Sequence, residues 1–405
     1  MAASSRASGQ ASAPLPGANA EPDAADRRAA PLATPAACQP EVERLELAAV
    51  RDSRIDDYAR LLVGRSLGVQ PGWQVSVRST PLARPLVEAV SEEVARAGAY
   101  PIVQLVWEEI GGPFERVAPI ELLEQPAPLQ RRIWEECDAF ITISASENTR
   151  EGGELSEARR GALQRRREPL RRRTMSFEVP WVLCEFPTNA AAQDAGMGLE
   201  EFSDFIYGAV LLDWDKEATR MERIKSIFDG AGQVRIVGAQ TDLSLSLAGR
   251  SGIIDDAHVN MPGGEVFYSP LEDSVEGEIT FAEFPASYYG HEVTGARLVF
   301  ESGTVVEASA ASGEEFLLQT LDTDPGARRL GEFGIGCNPA ITRFTRNLGF
   351  DEKIDGTVHL ALGNSYSIAG GINRSAIHWD IVKDLRGGGR LYADGELVQA
   401  DGRWR

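Results

Sequence analysis

Hydrophobic positions in the first part of the chain alternate between helical and strand spacing. Helical spacing covers four segments, at residues 42–58, 81–97, 199–212 and 216–228. Short apolar runs typical of strands lie at 74–78, 101–106, 139–144, 181–184 and 234–237. A strand, a helix and a second strand within residues 74–106 predict a β-α-β unit, whose two strands are parallel. We therefore expect an α/β N-terminal domain with a mostly parallel sheet over residues 42–239.

The pattern changes after Thr241. Leu243-Ser-Leu-Ser-Leu247 alternates strictly, and strand-like runs follow at 278–281, 296–300 and 304–308, with Gly and Pro dense between them. Glu301-Ser-Gly303 separates two of these runs as a hairpin turn does. This pattern predicts a second, β-rich α+β domain over residues 240–405.

Length and composition agree with two domains and limit the possible partners. The chain has 405 residues, and its first 41 are rich in Ala and Pro, which predicts a disordered tail. The net charge of −20, from 41 Lys+Arg against 61 Asp+Glu, disfavours binding to nucleic acid. No apolar run is long enough to span a membrane, and four irregularly spaced cysteines are typical of a reduced, cytoplasmic protein.

The candidate chemistry lies in the last third of the chain, where two of the four histidines, His359 and His378, lie in segments that look suited to metal binding. In an extended segment His378 and Asp380 point to the same side, so an imidazole and a carboxylate converge as a divalent metal requires. A lone His-x-Asp triplet is a weak signal, and a histidine in an apolar strand, such as His359, is most often a buried structural residue. The neighbourhood of Glu265 and Glu332, each beside glycines that allow close backbone approach, strengthens the case.

Two histidines, one Asp and two Glu supply enough ligands for two divalent metals if one carboxylate bridges them. Such a pair lowers the pKa of a water held between the ions and polarises a peptide carbonyl. Glu332 or Glu352 could then transfer the proton, while the phenol of Tyr366 could bind metal or donate to the developing oxyanion. The chain has no Walker loop and no His-Glu-x-x-His motif, so nucleotide chemistry and that zinc-protease class find no support.

These segments resemble the M29 family of metallopeptidases, which includes aminopeptidases T and S. The resemblance covers about residues 45–405. It is carried by five segments in the same order, 260–267, 269–274, 331–336, 350–359 and 376–380. It implies a metal-dependent aminopeptidase that releases N-terminal residues from peptides with a free N-terminus, a homodimer, and two divalent ions (zinc, cobalt or manganese). Matched residue by residue, the implied ligands are Glu265, Glu332, His359, His378 and Asp380, with Tyr366 at or beside the metals and Glu352 a weaker candidate.

Two other functions stay open at this point. A 2,5-dihydroxypyridine dioxygenase is similar to the family and uses one ferrous iron, which His359, His378 and Asp380 would suit as a facial triad. Glu265 and Glu332 argue against it, because one iron does not need them. A non-catalytic relative would be expected to have lost a ligand, whereas all the candidate positions carry side chains that can bind metal.

Overall fold

The structure is a computed structural model that describes residues 52–405; the expected tail at 1–41 and the first part of the expected helix at 42–58 lie outside these residues. The helices, in chain order, are α1 (Ser53–Arg60), α2 (Arg84–Arg96), α3 (Pro113–Val117), α4 (Ile120–Leu123), α5 (Pro128–Glu136), α6 (Glu157–Met175), α7 (Asn189–Asp194), α8 (Leu199–Val210), α9 (Trp214–Asp229), α10 (Glu314–Leu321) and α11 (Leu348–Asp351). The first ten strands are β1 (Gln74–Ser79), β2 (Tyr100–Leu105), β3 (Ala139–Ser144), β4 (Trp181–Glu185), β5 (Gln233–Gly238), β6 (Thr241–Ser246), β7 (Ile253–Asp255), β8 (Asn260–Met261), β9 (Glu265–Tyr268) and β10 (Glu276–Phe281). The remaining strands are β11 (Ala286–Tyr288), β12 (His291–Val293), β13 (Ala296–Glu301), β14 (Thr304–Ser309), β15 (Leu330–Gly336), β16 (Thr357–Gly363), β17 (His378–Asp384), β18 (Arg390–Ala393), β19 (Glu396–Ala400) and β20 (Arg403–Trp404).

The first sheet is parallel, in the order β2-β1-β3-β4-β8. The expected β-α-β unit is present: α2 connects β1 to β2 and buries Leu86, Val87, Val90 and Val94. Gly98, with φ +76°, adopts the left-handed conformation that commonly follows a helix end. The outermost strand, β8, comes from beyond residue 240, so the sheet draws on both parts of the chain.

The second sheet is antiparallel and has the order β14-β13-β10-β6-β5-β18-β19-β20. The expected hairpin joins β13 to β14, and Ser302 and Gly303 take the positive φ values that its tight turn needs. The strand at 234–237 was expected in the parallel sheet, and that expectation is wrong, because β5 pairs antiparallel with β6 and β18. The division at residues 239/240 stays a prediction.

The third sheet is also antiparallel, in the order β17-β16-β15-β9-β7. Every residue of β15 and of β16 is buried, so both faces of this sheet are covered. Its apolar side chains project to one face and join the main hydrophobic core; they include Phe333, Ile335, Leu360, Trp379 and Ile381. An α/β fold with a β-rich part is thus what the chain adopts, and the second face of this sheet carries the polar residues considered next.

Candidate metal centre

The register of the third sheet places five of the predicted residues on one face. Opposite residues in an antiparallel pair share a face, as do residues two apart in one strand. Glu332 stands opposite Ala361, which stands opposite Asp380. The same pairing sets His359 opposite Gly334, His378 opposite Gly363 and Glu265 opposite Gly336. Each long polar side chain therefore faces glycine or alanine on a neighbouring strand, which leaves room for these side chains to meet.

Glu332 lies at the middle of this group and links its two histidines. Its Oε1 is 3.3 Å from Nε2 of His359, and its Oε2 is 3.2 Å from Nε2 of His378. On the outer sides, Glu265 Oε2 lies 3.4 Å from Nε2 of His359, and Asp380 Oδ2 lies 3.3 Å from Nε2 of His378. The site thus consists of two imidazole–carboxylate clusters that share one carboxylate.

Backbone carbonyl groups orient both imidazoles. Nδ1 of His359 is 3.1 Å from the carbonyl oxygen of Glu352, and Nδ1 of His378 is 2.8 Å from that of Asn364. A carbonyl only accepts, so Nδ1 carries the proton and donates, and in the neutral ring Nε2 keeps its lone pair. Both Nε2 lone pairs then point at the carboxylates. A metal-binding histidine has the same arrangement, in which one ring nitrogen binds the ion and the other donates a hydrogen bond.

Mutual attraction sets the charges of this group in the structure. Burial disfavours the imidazolium, but the bond to Glu332 and the nearby carboxylates outweigh it and raise the pKa of His359 to about 10. Burial opposes charge on His378 as well, yet Asp380 and Glu332 raise its pKa well above the ordinary value. Burial raises the pKa of Glu332 and Asp380, but the two histidines outweigh it and keep both pKa values below normal. Protons on the imidazoles therefore offset part of the carboxylate charge.

Sequence reasoning missed two residues beside this group, Asp255 and Lys353. Lys353 is fully buried, and its Nζ lies 3.3 Å from Glu265 Oε1, 3.9 Å from Asp255 Oδ2, and in an ion pair with Glu352. Burial lowers the pKa of Lys353, but these carboxylates outweigh it and hold the pKa above its ordinary value. Burial raises the pKa of Glu265 to about 8 and that of Asp255 to about 6, against the lowering effect of Lys353. The sequence signal for Lys353 was its place directly after Glu352, whereas Asp255 enters only through the pairing of β7 with β9.

Glu352 and Tyr366 reach the site from loops and not from the sheet. Glu352 directly follows α11, and one of its carboxylate oxygens lies within 4.8 Å of ligand atoms of both His359 and Asp380. Tyr366 follows β16, and its hydroxyl oxygen is 3.5 Å from Nε2 of His378. Burial, followed by the charges of Glu332 and Asp380, raises the pKa of the Tyr366 phenol well above its ordinary value. The structure thus brings all seven predicted site residues together.

The donor set suits divalent cations. Two triplets have ligand atoms within 4.8 Å of one another and share Glu332: one adds Glu265 and His359, the other His378 and Asp380. Two buried carboxylate oxygens of these groups, Glu265 Oε2 and Asp380 Oδ1, have no hydrogen-bond partner among residues 52–405. A buried carboxylate oxygen without a partner is costly, and a bound cation would satisfy it. The residues present therefore fit the metal ions that the sequence predicts.

A cavity of about 410 Å³ opens over these residues. Its floor includes Glu265, Glu332, Glu352, His378 and Asp380, and its wall is built from the end of α6 and from the loop that joins β16 to β17. A volume of this size falls in the range of small-molecule sites. Fold and site together define a metal-binding protein whose centre faces a cavity of substrate size.

Comparison with known proteins assigns the family. The chain belongs to the thermophilic metalloprotease (M29) family, whose profile it matches over residues 51–404. It is 27% identical to aminopeptidase 2 of Geobacillus stearothermophilus, over 87% of this chain and 95% of that protein. It is 24% identical to aminopeptidase AmpS of Bacillus subtilis, over 87% of this chain and 98% of that protein. The family is one of metal-dependent peptide-bond hydrolases, so the resemblance inferred from the motifs is confirmed.

Solved structures give the same answer for the fold. Wild-type AmpT from Thermus thermophilus superimposes with a TM-score of 0.75 at 25% identity, over 87% of this chain and 99% of that one. A 2,5-dihydroxypyridine dioxygenase from Pseudomonas putida KT2440 superimposes with a TM-score of 0.56 at 14% identity, over 87% of this chain and 96% of that one. The second likeness shows a shared fold alone.

Proposed function

We propose that this protein is a metal-dependent aminopeptidase that removes N-terminal residues from peptides through two divalent cations. The observation that carries the proposal is the position of Glu332, whose two oxygens face the Nε2 atoms of His359 and His378. A bridging carboxylate with an imidazole and a further carboxylate on each side is the ligand pattern of a two-metal hydrolase. We assign Glu265, Glu332 and His359 to one ion, and Glu332, His378 and Asp380 to the other, with Tyr366 adjoining the second.

Bound ions would supply Lewis acidity, which lowers the pKa of a water molecule and polarises the scissile carbonyl group. The chain's own residues have three further tasks. Glu332 is held between two histidines through both of its oxygens, whereas Glu352 lines the cavity and pairs with Lys353 through Oε1 alone. The second oxygen of Glu352 can therefore take a proton from the attacking water and pass it to the leaving amine. The hydroxyl group of Tyr366 lies 3.5 Å from Nε2 of His378, so it can donate a hydrogen bond to the oxygen that gains charge. The acidic surface of the chain, with a net charge of −20, favours the approach of the ammonium group of a free peptide N-terminus.

The other functions considered from the sequence find less support. A single ferrous iron needs two histidines and one carboxylate, and leaves the close contact of Glu265 with His359 without a purpose. A non-catalytic relative does not explain unsatisfied buried carboxylates beside an open cavity. A serine hydrolase is disfavoured as well. The run Gly64-Arg-Ser-Leu-Gly68 matches the Gly-x-Ser-x-Gly pattern of a serine nucleophile. However, Ser66 is buried and donates its hydroxyl hydrogen to the carbonyl oxygen of Ala257 at 2.7 Å.

The test uses full-length protein that has been stripped with a chelator and reloaded with zinc, cobalt or manganese. We expect about two ions per chain by elemental analysis and hydrolysis of Leu- or Arg-p-nitroanilide only after reloading. N-acetyl-Leu-p-nitroanilide is the control, because it lacks the free amine and should not be cleaved. One iron per chain, with oxygen uptake on 2,5-dihydroxypyridine and no anilide hydrolysis, would replace this function by the dioxygenase.

A homodimer and a cytoplasmic location belong to the same proposal. β2 is an edge strand, and one of its faces, continued by Trp107, offers the exposed side chains of Val103 and Leu105 to a partner. Cys137, Cys184 and Cys337 are buried free thiols, as in proteins of reducing compartments. None of the helices in residues 52–405 is long and apolar enough to cross a membrane. Light scattering after size exclusion tests the dimer, and fractionation of cells tests the location.

A further inference from the structure

The cavity over the candidate metal centre is lined by groups of both charges. Its floor holds the buried carboxylates that the metal ions would neutralise, whereas two arginines, Arg374 and Arg171, are among its exposed lining residues, which we call the rim. Arg374 belongs to the loop between β16 and β17, and Arg171 lies near the end of α6, so the two come from distant parts of the chain. Both also line a neighbouring cavity, together with His378 and Asp324. The rim thus carries basic side chains on a protein whose net charge is −20.

Arg374 is available to a ligand. Its side chain is exposed, and no carboxylate of residues 52–405 forms an ion pair with it. Asp324, which lines the neighbouring cavity with Arg374, is engaged by other donors: Oδ2 accepts the Ser375 hydroxyl at 3.0 Å and the Ala376 N–H at 2.7 Å. Arg171 pairs with Glu168 at 2.8 Å, one turn back along α6, and its side chain remains 64% exposed. Arg374 is therefore the primary candidate for an anionic group, and Arg171 can assist it.

Apolar side chains also line the cavity. Met175, Phe177 and Ile368 are each about half exposed there. Large exposed apolar side chains that cluster at a cavity wall are typical of a surface that a ligand covers. The cavity thus combines the candidate metal centre, an apolar wall and an exposed arginine. A short peptide carries matching features, which are an N-terminal amine, side chains and a C-terminal carboxylate.

We propose that the cavity selects short peptides by their free C-terminal carboxylate, which Arg374 binds at the rim while the N-terminus lies at the metal centre. The inference rests on the proposed aminopeptidase function and deepens it by naming the substrate class. A volume of about 410 Å³ matches a short peptide, so a di- or tripeptide can place both of its termini within the cavity. A longer chain, or a peptide with an amidated C-terminus, places no carboxylate at Arg374.

The test compares Leu-Gly-Gly with its C-terminal amide, using the metal-loaded full-length enzyme. We expect kcat/KM for the free acid to exceed that for the amide by about 3- to 10-fold, as one partly exposed charge-assisted contact gives. In Arg374→Gln this ratio should fall towards one through a rise in KM for the free acid. Arg172→Gln is the matched control, since Arg172 is an exposed arginine of α6 that does not line the cavity, and it should leave the ratio unchanged. The preference of the wild-type enzyme should also weaken from low to high salt.

Calorimetric binding of the same two peptides separates this inference from the proposed function. If neither peptide is cleaved, the aminopeptidase function fails, and a free-acid preference in binding that Arg374→Gln abolishes would still support the carboxylate site. Equal kcat/KM and equal affinity for acid and amide in the wild-type protein would overturn the inference while leaving an active aminopeptidase. A preference that survives Arg374→Gln undiminished would overturn it too.

Discussion

Gly334 offers a sharp test of the candidate centre, because it makes room for the imidazole of His359. A Cβ atom at position 334 would lie 1.9 Å from Nε2 and 2.1 Å from Cε1 of His359, whereas ordinary contacts begin at 3.4 Å. Gly334→Ala therefore requires a displacement of roughly 1.5 Å at the proposed ligand atom. The ring has little space to retreat, since His359 is fully buried and its Nδ1 is held by the carbonyl group of Glu352.

The expected loss from Gly334→Ala follows from that displacement. Overpacking of this kind costs about 1–3 kcal/mol of stability, and a misplacement of about 1 Å in a catalytic group costs about 100-fold in rate. We expect the variant to fold, to bind less than the wild-type amount of metal, and to lose at least about 100-fold in kcat/KM on Leu-p-nitroanilide. Elemental analysis after dialysis, urea unfolding with chelator, and anilide hydrolysis measure these three quantities.

Gly208→Ala is the matched control. Gly208 lies within α8, and an added Cβ there would meet nothing within 4 Å. Alanine in a helix should stabilise by about 0.5–1 kcal/mol and leave metal content and rate unchanged. If Gly334→Ala bound two ions per chain and hydrolysed the anilide like the wild-type enzyme, His359 would not be the ligand proposed here.

Three further variants test other parts of the site. His378→Ala should fold but lose one ion per chain by elemental analysis and at least about 100-fold in the rate of anilide hydrolysis. This is more than the loss typically seen when a residue that only hydrogen-bonds to a metal ligand is changed. Full turnover would contradict the ligand assignment. Lys353→Met should lower the free energy of unfolding of the chelated protein by about 3–5 kcal/mol in urea, because Glu265 loses its buried cation. The loss should be smaller with saturating metal. Equal losses with chelator and with metal would contradict this. Asp351 is buried, and burial raises its pKa to about 8, although Thr345 donates two hydrogen bonds to its carboxylate. Between about pH 4 and pH 8 the folded protein therefore keeps a proton on Asp351 that the unfolded chain has released. Stability of the chelated protein should therefore fall as pH rises through this window, by up to about 1.4 kcal/mol per pH unit, and Asp351→Asn should flatten the slope in unfolding titrations; an unchanged slope would show that Asp351 is not responsible.

Local patterns predicted the elements of the fold better than their partners. The β-α-β unit around α2 could be predicted because the strands and the buried helix face all lie within about thirty residues. The run 234–237 was correctly expected to be a strand, but it was assigned to the wrong sheet. Its apolar residues suit either sheet, and its partner β18 begins at Arg390, more than 150 residues away. A pairing over that distance leaves no trace in the local spacing of residues.

The site residues that could be predicted are those whose type is rare in this chain or whose sequence neighbours are unusual. Histidine is scarce in this chain, so His359 and His378 stood out, and glycines marked the strands on which Glu265 and Glu332 lie. Asp255 could not be found in this way, because acidic residues are common in a chain with 61 of them. Its role depends on β7 pairing with β9, which brings it opposite Glu265. The resemblance to a family supplied the set of ligands, whereas the register of the third sheet supplies the physical reason that the set can meet.

That register also concentrates acidic side chains in one place. Five carboxylates, those of Asp255, Glu265, Glu332, Glu352 and Asp380, lie near one another in a largely buried region, where like charges repel strongly. Lys353 and the two imidazoles, whose pKa values are all raised, offset this repulsion. Metal ions would displace protons from the imidazoles, whereas Lys353, which is not a candidate ligand, would keep its charge. Lys353 is therefore the permanent cation of the site, which is why its removal should matter most when no metal is bound.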